Sequence, residues 1–78
     1  MKDLMLVHIF GPDRPGIAST VSGLLAQYGV DILDVGQSVI HDALSLGALI
    51  RIPEGAQSAA VVKDLLYAAH EMGVGCKF

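Results

Sequence analysis

Seventy-eight residues make one small domain, residues 1–78, close to the lower size at which a core sustains itself. Hydrophobic residues reach 53% and charged ones only 17%, against about 45–50% and about 25% in ordinary domains, so apolar surface is expected to be hidden against a second copy or a neighbouring domain. The net charge is −3, with no basic cluster, no Trp and scattered aromatics, which argues against a nucleic-acid partner.

Leu4 to Phe10 is apolar apart from His8 and reads as a central strand. Gly11-Pro-Asp-Arg-Pro-Gly16 follows as a stiff turn. Asp13 is the expected N-cap of the next helix, with Pro15 in its first turn. Ile17, Val21, Leu24, Leu25 and Tyr28 then recur at helical spacing, and Gly29 is the expected stop. Asp31 to His41 reads as a second strand in which Gly36 suggests a bulge or a close backbone approach. Asp42-Ala43-Leu44 is the expected hairpin connection, and Ser45 to Ile52 the third strand. Pro53-Glu54-Gly55 is turn chemistry. Ala56 to Met72 carries an apolar stripe of Val61, Val62, Leu65, Leu66, Ala69 and Met72, and Gly73 ends it. Val74 to Phe78 is a short last strand.

The order βαββαβ implies an α+β, ferredoxin-like fold: a four-stranded antiparallel sheet with two helices on one face. Strands one and three are then central and the polar strand from Asp31 lies at an edge. The other sheet face is bare and apolar, formed either by Leu4, Leu6, His8 and Phe10 or by Met5, Val7 and Ile9.

Strand, tight turn and helix start together aim free N–H groups at one point, where the helix dipole also favours an anion. A carboxylate is therefore expected near Gly16 and Ile17, and an ammonium at Asp13. Pro12 and Pro15 stiffen this loop and lower the ordering cost of binding. Asp31 is expected beside the same loop, sharing one pocket with Asp13. Arg14 reads as a ligand contact, a subunit contact or a solvated surface residue. His8, His41 and His70 lack metal-type spacing, so no metal or other cofactor is expected. His41-Asp42 reads as a turn pair, and neither Ser38 nor Ser45 has a glycine-framed nucleophile motif. Cys76 reads as a half-buried edge residue. It cannot form an internal disulfide, which suits a cytoplasmic location. The N-terminus has no secretory pattern, and no run approaches the ~18 apolar residues of a membrane span.

With Gly-Pro-Asp-Arg-Pro-Gly-Ile at the first turn, the chain resembles an ACT domain, a regulatory module that binds amino acids. The run from Gly29 through Asp31-Ile-Leu-Asp-Val-Gly-Gln-Ser-Val-Ile-His-Asp to Pro53 is similar to the N-terminal ACT region of bacterial phosphoserine phosphatases of the SerB type. The resemblance implies side-by-side pairing into a continuous sheet, with an effector at the interface. Carried over, the contacts fall on Gly11, Asp13, Arg14, Gly16 and Asp31, with backbone of Ile17 and Ile32; serine-binding relatives often have asparagine at the positions of Asp13 and Asp31. The resemblance further implies a non-catalytic regulatory role in serine biosynthesis, sensing L-serine or a related amino acid. Implied partners are a second copy, another ACT domain or a catalytic domain. The Asp-x-Asp-x-Thr motif of the phosphatase is absent, and the end at Phe78 suits a regulatory segment or a small stand-alone protein. The alternative is a structural dimerisation module with a vestigial pocket. An acylphosphatase-type enzyme is disfavoured, because the chain has no asparagine for that chemistry.

Overall fold

The computed structural model describes residues 3–53 and 58–78. The elements are β1 (Asp3–Pro12), α1 (Ile17–Gln27), β2 (Asp31–Ile40), β3 (Ala43–Ile52), α2 (Ser58–Glu71) and β4 (Gly75–Lys77). They form the expected ferredoxin-like fold, with sheet order β2-β3-β1-β4 and every neighbouring pair antiparallel. The two most apolar strands, β1 and β3, are central, and polar β2 is an edge. The Pro53-Glu54-Gly55 turn and the start of the second helix at Ala56 lie partly outside the described residues.

Alternation decides the faces. Val7 and Ile9 of β1 are buried with Leu44, Leu46, Ala48, Ile50 and Ile52 of β3, against Ile17, Val21 and Leu25 of α1 and Val61, Leu65 and Ala69 of α2. The bare face therefore carries Leu4, Leu6, His8 and Phe10. Leu4 and Leu6 are each 63% exposed.

Both helices end the same way. Gly29 and Gly73 are left-handed, at φ 66° and 72°. The N–H of Val30 donates to Leu25 carbonyl (3.1 Å) and that of Val74 to Ala69 carbonyl (2.9 Å). These are Schellman closures, and in each the valine after the glycine is buried. Tyr28, at the end of α1, donates its hydroxyl to the Asp64 carboxylate on α2 and joins the two helices.

Three local expectations are corrected. Asp13 does not cap α1: Gly16 is the N-cap, left-handed at φ 87°, with no side-chain cap bond. Pro15 consequently lies before the helix. Here β1 runs on to Pro12, and Asp13 is held by the hairpin instead. The hairpin turn is His41-Asp42, not Asp42-Ala43-Leu44. Both its residues have positive φ (50° and 63°), the two-residue geometry whose twist matches the flanking strands. The bulge lies between Ile32 and Asp34, whereas Gly36 pairs regularly with Gly47.

Candidate functional site

The first loop is fastened at both sides. The N–H of Asp13 donates to the carbonyl of Asp42 at 2.7 Å, so the loop leans on the hairpin tip. The Arg14 guanidinium lies 3.6 Å from where a Cβ at Gly73 would stand, over the C-terminal end of α2, where a cation suits the helix dipole. A Cβ at Gly11 would lie 3.1 Å from the Val74 side chain and 3.2 Å from its Cα. Gly11 is thus a close-packing residue. At Gly16 the carbonyl accepts both the N–H of Thr20 (2.9 Å) and the hydroxyl of Ser19 (3.1 Å). Thr20 makes the first α-helical bond, so the N–H groups of Ile17, Ala18 and Ser19 precede the intrahelical ladder. The side chains of Asp13 and Arg14 are exposed.

Asp31 is not beside this loop in the same chain. It pairs with Arg51, which pairs with Leu4, whereas Pro12 pairs with Ala43. Leu4 to Pro12 covers eight steps of strand, so Asp31 and Asp13 lie at opposite ends of the sheet, roughly 26 Å apart. The reason is direction: β2 runs parallel to β1, and α1 returns the chain to the foot of the sheet before β2 begins. Gly11, Asp13, Arg14, Gly16 and Ile17 come together at one end, Asp31 and Ile32 at the other.

Residues missed by sequence reasoning lie between these ends. On the helix side, β2 reaches past α1 and leaves a trough of about 240 Å³. Ala18, Val21, Ser22 and Leu25 of α1 form one wall, and Ile32, Val35 and Gln37 of β2 the other. All ten residues of β2 are exposed, including Ile32, Val35 and Val39 on this side. An apolar row on an edge strand beside small helix residues was the available signal. Read alone, the same row merely marks an amphipathic strand.

No group of His, Cys, Asp and Glu able to hold a metal occurs among the described residues. Partial burial raises the Cys76 thiol above its ordinary value. The Tyr28 hydroxyl is raised chiefly by its bond to Asp64, and that of Tyr67 by its bond to Glu71. None of these groups lines the trough. Among the described residues no helix is long and apolar enough to cross a membrane.

The family model for the ACT domain matches residues 3–78. The chain belongs to the ACT domain family. It is 38% identical over 74 residues to phosphoserine phosphatase SerB2 of Mycobacterium tuberculosis, a match covering 94% of this chain and 18% of that protein. It is 33% identical over 70 residues to a UPF0237 protein of Methanopyrus kandleri, covering 88% of this chain and 78% of the relative. This ACT chain therefore spans less than a fifth of the phosphatase but most of the small archaeal protein. Among solved structures, an ACT domain protein from Streptococcus pneumoniae superposes with TM-score 0.81 at 23% identity, covering 99% of this chain and 85% of the other. A putative glycine cleavage system transcriptional repressor superposes with TM-score 0.89 at 22% identity, covering 99% and 44%. These two likenesses establish the fold. The ACT domain is a regulatory fold and not a catalytic one.

Proposed function

We propose that this ACT domain is an amino-acid sensor that works as a side-by-side pair. The observation that carries this reading is β2: a ten-residue edge strand, exposed throughout, with an apolar row hanging over an open trough. A bare edge strand of this length invites pairing with another strand. A second copy supplies one by two-fold symmetry, because antiparallel β2–β2 pairing is self-complementary.

The bulge confines regular pairing to Asp34–Ile40, whose midpoint is Gln37. Pairing about Gln37 brings the partner's β2 start up to the level of the hairpin tip, and the hairpin tip is where Asp13 is fastened. Asp13, Arg14, Gly16 and Ile17 of one copy then share a site with Asp31 and Ile32 of the other. Helix N–H groups near Ile17 take the ligand carboxylate, and the two aspartates take its ammonium. A ligand bridging two copies favours the paired state over the single one, which turns binding into a signal.

The kinship with phosphoserine phosphatase makes L-serine the first ligand to test, as a regulator of that activity in the cytoplasm. Titration calorimetry with L-serine, glycine and L-phenylalanine, run beside light scattering, tests the reading. Selective heat with one saturating site per chain, from a dimer, supports it; a monomer that binds nothing up to millimolar ligand overturns it.

A second reading is pairing without a ligand. It is favoured by the structural duties of the loop: Gly11 packs on Val74, Arg14 covers Gly73 and the Asp13 N–H is already engaged. A dimer whose melting is untouched by any amino acid supports this second reading instead.

A further inference from the structure

On the uncovered face, Gly36 of β2 and Gly47 of β3 stand directly opposite each other. The chain's own fold requires glycine at neither: both lie outside the positive-φ region, and a Cβ at either would meet nothing within 4 Å. Glycine inside a strand weakens it, and it commonly marks a place where a ligand or another backbone comes close. Here the two glycines open a gap of about 210 Å³ in the side-chain layer, with Leu49 and Leu6 along its border. Along β3 the face therefore carries a knob, Leu49, beside a hole, Gly47.

The same complementarity extends over four rows of the face. Asp31, Arg51 and Leu4 form the first row, and Asp34, Leu49 and Leu6 the second. Gly36, Gly47 and His8 form the third, and Ser38, Ser45 and Phe10 the fourth. Consider a two-fold axis in the plane of the face, crossing the strands between Leu49 and Gly47. It lays a second copy on the first with each strand over its own counterpart. The second row then falls on the third, with Leu49 on Gly47. The first falls on the fourth: Leu4 on Phe10, Arg51 on Ser45 and Asp31 on Ser38. Large meets small, apolar meets apolar, polar meets polar, and no charge meets its like. An axis running along the strands between β3 and β1 loses these matches, since it sets Arg51 on Leu4 and Ser45 on Phe10. The crossing axis also keeps the strands of the two sheets aligned, as stacked sheets favour.

We infer that the uncovered face is a second self-association surface, on which two copies pack sheet on sheet with each Leu49 seated in the other's glycine gap. Leu4 and Leu6, each 63% exposed, supply the apolar centre. Asp34 and Lys77 stand on the two edge strands, as a charged rim. His8 Nε2 is 2.9 Å from the Ser45 hydroxyl, so both groups remain hydrogen-bonded when the face is covered. Four strands about 4.8 Å apart and four rows about 6.8 Å apart give roughly 500 Å² of flat sheet on each copy, about 1,000 Å² in all. That is the weak end of specific interfaces. The contact is therefore expected at hundreds of micromolar chain, leaving dilute chains to the β2 contact. It uses the opposite face from the trough and no strand edge, so it does not depend on the effector pair.

The test uses the whole chain carrying Val39→Lys, which disfavours pairing through β2. Sedimentation velocity from about 10 µM to about 1 mM should pass from monomer to dimer. In an equal mixture of labelled and unlabelled copies, isotope-filtered NOEs should join the Leu49 methyls of one copy to the Gly47 Hα of the other. Gly47→Val fills the gap, and Leu6→Lys plants a charge at its border. With each fold confirmed by its amide spectrum, either change should weaken association at least about tenfold. A monomer at about 1 mM overturns the proposal. So does association without the Leu49–Gly47 contact, or association that a folded Gly47→Val or Leu6→Lys retains in full. The dilute parent's dimer and its amino-acid heat report on the β2 pair alone, so the two readings fail separately.

Discussion

Gly11 and Val74 meet where the end of β1 passes the last closure of α2, and no room is left between them for a methyl group. A Cβ at position 11 would lie 3.1–3.2 Å from three Val74 atoms, one of them backbone, and the local φ of 148° is itself unfavourable for an L residue. Gly11→Ala is therefore expected to cost about 1–3 kcal/mol. In a domain of this size each kcal/mol lowers the melting temperature by about 4–8 °C. Calorimetric melting of the variant checks this. A melting point equal to the parent's would overturn the packing role of Gly11.

Gly23 gives the opposite sign. It lies on the exposed face of α1, and nothing comes within 4 Å of its would-be Cβ. Gly23→Ala should stabilise the chain by about 0.5–1 kcal/mol, because glycine in a helix loses more backbone entropy on folding. Urea unfolding with an unchanged slope and a higher midpoint is the expected readout.

Alkaline pH should loosen the contact between the helices. The Tyr28 hydroxyl donates to Asp64, and this bond raises its pKa above the ordinary 10.0. The native state then holds that proton more tightly than the unfolded chain does. The pair's contribution is full below about pH 10 and is lost as pH climbs through the raised value. Tyr67, bonded to Glu71, and the half-buried Cys76 thiol act with the same sign, and Cys76 acts from a lower starting value of 9.0. Melting temperatures from pH 8 to 11.5 should fall in the parent and fall less in Tyr28→Phe. An equal fall in both would place the alkaline loss on Tyr67 and Cys76.

Much of this architecture was legible because apolar spacing and stop signals are local. The four strands, the two helices, both glycine stops and the central places of β1 and β3 follow from periods of two and 3.6 and from Gly29 and Gly73. The errors arose where a choice depended on the third dimension. Asp13 has the chemistry of an N-cap, yet the hairpin carbonyl claims its N–H and the helix begins after Gly16. His41 is left-handed, uncommon for any residue but glycine, because the two-residue turn that matches the twist of the flanking strands needs positive φ at both positions. The βαββαβ order alone puts Asp31 beside the first loop, but the register puts it level with Leu4, at the other end of the sheet from Asp13. Only strand direction reveals that α1 carries the chain the length of the sheet between them.

That separation yields the decisive test of the paired site. With Asp13 supplied by one copy and Asp31 by the other, Asp13→Ala and Asp31→Ala should each fold normally and each abolish amino-acid binding alone. Mixed and allowed to exchange, they form hetero-pairs in which one site has lost both aspartates and the other has kept both. An equal mixture should therefore recover about a quarter of the parent's sites, by two-fold symmetry and random pairing. Calorimetry of the mixture measures this directly. Light scattering of Val39→Lys, which plants a charge in the apolar row of β2, provides the companion observation: it should leave a monomer that no longer binds. Recovery in the mixture can arise only from a site built by two chains. Binding retained by a monomeric Val39→Lys would place the whole site within one chain, where Asp31 is out of reach of the loop and the helix N-terminus must act without it.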